Sequence, residues 1–180
     1  MTGPEIETTS SAVVYRNRWM VLREDAIVYA DGSPGLYGVV EKNDFAVVAA
    51  VQDGRIHLVE QYRYPVGRRF WELPQGASYD RTIAPLALAH AELREETGLV
   101  ADVMIHAGRL FQGYGYSTQA YDVWFATGLQ QRAVALEPEE QGLVAKAFDL
   151  AAFEAMLRDG TIRDATTLAA FGLLRLKDLL

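Results

Sequence analysis

The 180-residue chain contains no cysteine. Disulfide staples and thiolate metal sites are therefore excluded, and the fold must rest on its own apolar core. Nor is there an apolar run approaching the roughly 20 residues that cross a bilayer as a helix. The opening stretch MTGPEIETTSSAVVY has neither the basic nor the long apolar region of a secretory signal. Positive charge is in deficit as well: 17 Lys and Arg against 24 Asp and Glu give a formal net charge of −7. A chain of this sign does not coat nucleic acid. A phosphate-bearing ligand would have to be held by local arginines, by metal ions or by both. These absences lead to the expectation of a cytoplasmic protein with neither a membrane nor a nucleic-acid partner.

Half of the residues are hydrophobic and 23% are charged, the balance of an ordinary folded domain with a core of its own. Residues 1–10 read as a loose tail. From residue 12 to 42 apolar and polar residues alternate around ADGSPG, which predicts two or three antiparallel strands. DFAVVAAVQDGRIHLVEQYRYP reads as a second hairpin, with Asp53-Gly54 a favoured turn pair. VGRRFWELPQG reads as a strand and then a loop broken by Pro74 and Gly76. A helix is predicted over 83–97, with Pro85 in its first turn and Gly98 capping its end. Two strands follow around a glycine- and tyrosine-rich loop. Then come the acidic turn EPEEQG, a short strand LVAKAFD and two late amphipathic helices. Strands with few helices between them, and helices gathered late, predict a mixed α/β domain.

The helix over 83–97 carries Glu92, Glu95 and Glu96 on one flank. Leu86, Ala89 and Leu93 lie on a different stripe and are expected to face the core. Like charges so close repel by a few tenths of a kcal/mol per pair. Either solvent absorbs that cost, as on a solvated acidic face, or a cation removes it. Hard ions such as Mg²⁺ or Mn²⁺ take carboxylate oxygens and keep some of their water.

The stretch GASYDRTIAPLALAHAELREETGL resembles the signature of the Nudix hydrolases, G-x5-E-x7-R-E-U-x-E-E-x-G-U, where U is bulky and apolar. Gly76 matches the first glycine, and Glu92, Leu93, Glu95, Glu96, Gly98 and Leu99 match the second half. LVEQYRYPVG…FWELPQG, GYGYSTQAYDVWFATGL, EPEEQ and IRDATTLAAFGLL resemble parts of the ADP-ribose pyrophosphatase branch, so the likeness spans roughly residues 12–176. The chain departs from the pattern in three ways. Its loop carries one extra residue. Ile83 (or Thr82) and Ala91 stand where the pattern has Glu and Arg, and Tyr114 or Gly115 stands where the branch often has proline.

The resemblance implies a Nudix-type α/β/α sandwich with a mixed sheet over 44–180, preceded by a small antiparallel strand subdomain over 1–43 that serves dimerisation. It implies a Mg²⁺-dependent (Mn²⁺ also suitable) pyrophosphatase. The substrate would be a nucleoside diphosphate derivative, most naturally ADP-ribose or a nucleotide sugar, with coenzymes and dinucleoside polyphosphates as other members of the class. Carried over by position, Glu92 and Glu96 are metal ligands, Glu95 is a ligand or an orienting group, and the backbone carbonyl of Gln75 completes the site. Glu139 or Glu140, with Glu137 behind them, is the general base. Arg63 holds the diphosphate, with Arg68 and Arg69 as further candidates. Glu72 orients substrate or structure, and Trp19, Tyr15, Phe45 and Tyr116 are the aromatics able to stack on a base. His57, His90 and His106 are not expected to be ligands. A homodimer is implied. The alternative is a Nudix-fold module that binds a nucleotide and regulates without catalysis.

Overall fold

The first strands form as their alternation predicts, but they begin earlier. The computed structural model describes residues 4–79, 82–132 and 142–180. In it β1 (Ile6–Arg16), β2 (Val21–Tyr29) and β3 (Pro34–Glu41) make an antiparallel sheet in that order. Residues 6–10 are thus strand, not tail: Ile6 pairs with Tyr29 and Thr8 with Ile27. Every residue of β1 is exposed, so no buried face imprints an alternation on its sequence. The turn to β3 is built as expected, with Gly32 at φ 82° and the Asp31 carboxylate accepting from the Ser33 N–H at 2.9 Å.

The chain divides into two compact units. One comprises the residues up to Asp44 together with Phe111–Ala120, and the other Phe45–Leu110 with Tyr121–Leu180. The second unit is built on a mixed sheet of order β10-β5-β4-β9-β8, with β6 beside β5 and the short β7 beside β4. Its strands are β4 (Phe45–Gln52), β5 (Arg55–Arg63), β6 (Arg68–Glu72), β7 (Gln75–Gly76), β8 (Leu99–Phe111), β9 (Ala120–Gln131) and β10 (Val144–Asp149). The β4–β5 turn carries Asp53 at φ 52° and Gly54 at φ 73°, the paired positive angles of a two-residue hairpin turn. β4 and β9 run parallel, so the sheet is mixed.

β4 is the centre. Ala46, Val48 and Ala50 pack with Leu88, Ala89 and Leu93 of α1 (Pro85–Thr97). Val47 and Ala49 point the other way, into a cluster with Phe153 of α2 (Leu150–Arg158) and with Ala170 and Leu174 of α3 (Ala165–Leu176). A strand buried on both faces reads as a continuous apolar run, and that is why AVVAAV looks as it does. The fold class is α/β, with helices on both faces of a mixed sheet.

α1 begins at Pro85, where a missing N–H costs nothing, and ends on Gly98 at φ 70°, whose N–H bonds the Arg94 carbonyl. Its buried stripe differs from the expected one. Leu86 is exposed, and Leu88 is buried in its place. Leu88, Glu92 and Glu96 form one i, i+4 row beside Ala89, Leu93 and Thr97, and all six are buried. The helix is rotated so that two acids share its inward side, and that rotation carries Leu86 outward.

Candidate functional site

Glu92 and Glu96 retain only 7% and 2% of their exposure, and Glu95 is half-buried. The acids therefore do not form a solvated face. What they meet is the β6–β7 turn. Gln75 N–H donates to Glu96 Oε2 at 2.9 Å. A Cβ placed on Gly76 would lie 2.2 Å from Glu92 Oε2, so with any other residue there the carboxylate would have to leave this position. The requirement comes from close approach and not from backbone angle. Gly76 pairs with Ala46 and Gln75 with Val47 of β4, which fixes the turn on the central strand.

The direction of the Gln75 backbone follows. Its N–H leaves β4 for Glu96, so its pairing with Val47 is the kind that exchanges no hydrogen bonds. An extended residue presents its N–H and C=O on the same edge, so the carbonyl also faces away from β4, on the side of the acids. Among the described residues no three Asp, Glu or His side chains gather into a closed cage. Two carboxylates and a carbonyl from the turn suit Mg²⁺ or Mn²⁺ instead, ions that bind through one or two carboxylates and leave positions for water and phosphate.

Beside the turn, Glu72 at the end of β6 is almost wholly buried. Arg63 of β5 forms an ion pair with it, donating from Nε to Oε2 at 3.2 Å and from Nη2 to Oε1, and Gln61 Nε2 donates to Oε1 at 2.8 Å. Burial pushes the Glu72 carboxyl above its ordinary range, the Arg63 guanidinium pulls it back, and Asp164 adds a smaller upward push. Arg63 therefore has a structural partner already. With a side chain 41% exposed, it also reaches solvent. Arg68, opposite Arg63 on β6, is exposed. Arg69 bonds Glu60 Oε2 at 2.9 Å and the Gly142 carbonyl at 2.6 Å.

Trp19 and Tyr116 belong to the first unit. Both are exposed. Arg18 lies over the Trp19 ring at 4.2 Å, and Tyr116 is held by a turn in which its N–H bonds the Gly113 carbonyl at 3.0 Å. Tyr15 is an exposed residue of β1. Phe45 stacks on Tyr121 with ring centroids 4.8 Å apart, against the α2–α3 core cluster. Glu137, Glu139 and Glu140 lie outside the described residues. Ile83 packs with the α1 core cluster and Ala91 is half-buried. At Ile83, apolar contact thus occupies a position where the signature carries a charged residue.

Two groups escaped sequence reasoning. Asp164 caps α3 and accepts from the Gln75 side chain at 3.0 Å, and its place in IRDATT signals only a helix start. Asp122, buried on β9, accepts from Arg109 Nη1 at 2.9 Å and pairs with His106 Nε2 at 2.8 Å. Nothing in the spacing of those three residues announces the cluster.

Residues 6–40 match a family profile described as the nucleoside diphosphate sugar hydrolase N-terminal domain. The chain is 36% identical over 132 residues to the ADP-ribose pyrophosphatase of Mycobacterium tuberculosis, an alignment covering 73% of this chain and 64% of that protein's length. It is 26% identical over 179 residues to the methanol dehydrogenase activator of Bacillus methanolicus, covering 98% and 96% of the two chains. Its fold is similar to a crystal structure described as an ADP compounds hydrolase, with a TM-score of 0.86 at 18% identity over 97% of this chain and 95% of that one. In the half-signature on α1, the glycine beside Glu92 and the N-terminal strands, the chain resembles the ADP-ribose pyrophosphatase-like kind of Nudix protein.

Proposed function

We propose that the protein hydrolyses the pyrophosphate bond of a nucleoside diphosphate linked to a second moiety, ADP-ribose or a nucleotide sugar foremost, releasing a nucleoside monophosphate and a sugar phosphate. The observation that carries this reading is the pair of buried acids, Glu92 and Glu96, turned onto the Gln75–Gly76 backbone. Burying two carboxylates within about one helical turn costs free energy that hydrogen bonds such as that from Gln75 N–H offset in part, and a divalent cation would offset it further.

Glu92, Glu96 and the Gln75 carbonyl would hold Mg²⁺ or Mn²⁺, with Glu95 as a further ligand or an orienting group. The ion neutralises phosphate charge and makes water more acidic. Little covalent chemistry is asked of the chain, because phosphoryl transfer depends mainly on alignment and charge. Arg63, braced by Glu72, offers its remaining N–H groups to a diphosphate oxygen, with Arg68 beside it. Glu139 or Glu140 takes the proton from the attacking water. The first unit serves a homodimer, a reading supported by exposed Val13, Val14, Tyr15 and Leu36 on β1 and β3. In that dimer Trp19 and Tyr116 are the aromatics available to a base.

A second reading is a nucleotide-binding module that regulates another protein. It draws support from the near full-length likeness to a dehydrogenase activator.

A panel of ADP-ribose, ADP-glucose, GDP-mannose, UDP-glucose, NADH and dinucleoside polyphosphates, incubated with Mg²⁺ or Mn²⁺, separates the two by release of monophosphate. Turnover should be lost in Glu96→Gln by more than about a hundredfold, beyond the loss typical of an outer-shell partner. It should survive in Glu154→Gln, where the replaced acid bridges Arg158 and Arg175. Tight nucleotide binding with no turnover on any substrate would favour the module.

A further inference from the structure

The β6–β7 turn turns its backbone toward the acids, so its usefulness depends on what fixes that backbone. Three successive residues are each tied to a different partner. Leu73 N–H donates to Thr167 Oγ1 at 2.9 Å, a buried bond. The Pro74 carbonyl accepts from Val48 N–H at 2.9 Å. The Gln75 side chain donates from Nε2 to Asp164 Oδ2 at 3.0 Å. Asp164 and Thr167 are themselves locked together. The same Oδ2 accepts from the Thr167 N–H at 2.8 Å and from the Thr167 hydroxyl at 2.7 Å. Thr167 is fully buried.

We infer that Asp164 and Thr167, at the start of the last helix, are positioning residues for the proposed cation site: they hold residues 73–75 so that the Gln75 backbone stays facing Glu96. This rests on the reading of Glu92 and Glu96 as metal ligands. Capping α3 alone does not account for the arrangement. A cap needs only the N–H groups of Thr166 and Thr167. The bonds to Gln75 and Leu73 reach 89 and 94 residues back along the chain to the turn that meets Glu92 and Glu96. Gln75 is thus held from both sides, its side chain by α3 and its N–H by α1. Releasing the side chain leaves the backbone free to rotate its carbonyl away.

The test uses the full-length, nucleotide-free protein and titrates Mn²⁺, with free ion followed by electron paramagnetic resonance. Gln75→Met keeps the length of the side chain and removes its donor. Asp164→Ser keeps an effective helix cap but is too short to reach Gln75. Each should weaken Mn²⁺ binding by about tenfold, the lower end for a group that orients a ligand. The melting temperature of Asp164→Ser should stay within a few degrees of the wild type. The double variant should bind no more weakly than either single one, because both remove the same bond.

Unchanged Mn²⁺ affinity in both single variants overturns the positioning role, and so do losses that add in the double variant. Glu96→Gln in the same titration reports on the underlying site. If the wild type fails to bind Mn²⁺, or Glu96→Gln binds it equally well, the metal reading itself fails and this inference falls with it.

Discussion

The two sheets of this molecule bury their strands to opposite extremes. β1, in the three-stranded sheet, is exposed along all eleven residues, whereas β4 has five consecutive residues buried completely. β4 is committed on both faces: one neighbour layer is α1, the other is α2 and α3, and its small residues let both approach. β1 is held by its ladder to β2 and by the bond from Thr9 Oγ1 to the Ala26 carbonyl. The contrast separates two kinds of job. The buried strand supplies the platform on which the turn 75–76 and the acids of α1 meet. The open sheet presents side chains to whatever lies outside its own unit.

If the platform reading is right, the largest effect after that of Glu96→Gln should follow from Gly76→Ala. The new methyl group would fall 2.2 Å from Glu92 Oε2, so the carboxylate or the turn must move. Turnover should drop by more than about tenfold, and overpacking should cost about 1–3 kcal/mol in chemical denaturation. An Ala variant with full activity would mean that Glu92 need not stay where it is.

Arg63→Ala comes next. A residue that served only to hold diphosphate could be removed without loss of stability. Here the substitution strands a buried carboxylate, so stability should fall by about 2 kcal/mol at neutral pH. Glu72 is already raised by burial, and removing the guanidinium raises it further. A raised carboxyl favours the protonated folded state, so the deficit should grow as pH rises and shrink toward about pH 5. A deficit independent of pH would speak against Glu72 as its source.

In the open sheet the effect should appear in assembly and not in folding. Val14 is 56% exposed on β1. Val14→Lys should convert a species of twice the 20.0 kDa chain mass to the monomer in sedimentation, while changing stability by less than about 0.5 kcal/mol. A wild type that sediments as a monomer at micromolar concentration would remove the dimer from the proposal.

The smallest expected effect belongs to His57 on β5. Burial, and then the charge of Arg55, hold its imidazole below the ordinary value of 6.5. The unfolded chain therefore takes up this proton more readily than the folded one. The contribution is full above that pH and declines as pH falls through it. His57→Gln should flatten the stability profile between about pH 7 and about pH 5. A profile that keeps its slope would assign the acid sensitivity elsewhere.

The same contrast explains what was legible in the sequence. AVVAAV, the Asp53-Gly54 turn and the Pro85–Gly98 helix are written in local chemistry, and each forms where expected. β1 starts earlier than its pattern shows because a strand open on both faces has no pattern to show. The rotation of α1 was misread at Leu86 because glutamates are normally placed outward, and here two of them are turned inward. The acid flank shows through its helical spacing, and Gly76 through the resemblance to the signature. Their supports do not: Gln61 and Arg63 on Glu72, and Asp164 and Thr167 on the turn, are joined only by the fold. Periodicity cannot reveal a bond between residues 75 and 164.

The separation of those partners bears on how the protein is made. α1 closes on its own glycine within 13 residues, so it can form as soon as that stretch leaves the ribosome. The turn it faces must wait for residues 164–167, which lie 89 and 94 residues beyond their partners in the turn. Contacts of such long range are slow to close. Between the synthesis of Thr97 and that of Asp164 a nascent chain thus carries the acid helix with its counterpart unset. Translation that stops short of α3 would leave a fragment with the acid helix present and an unbraced turn.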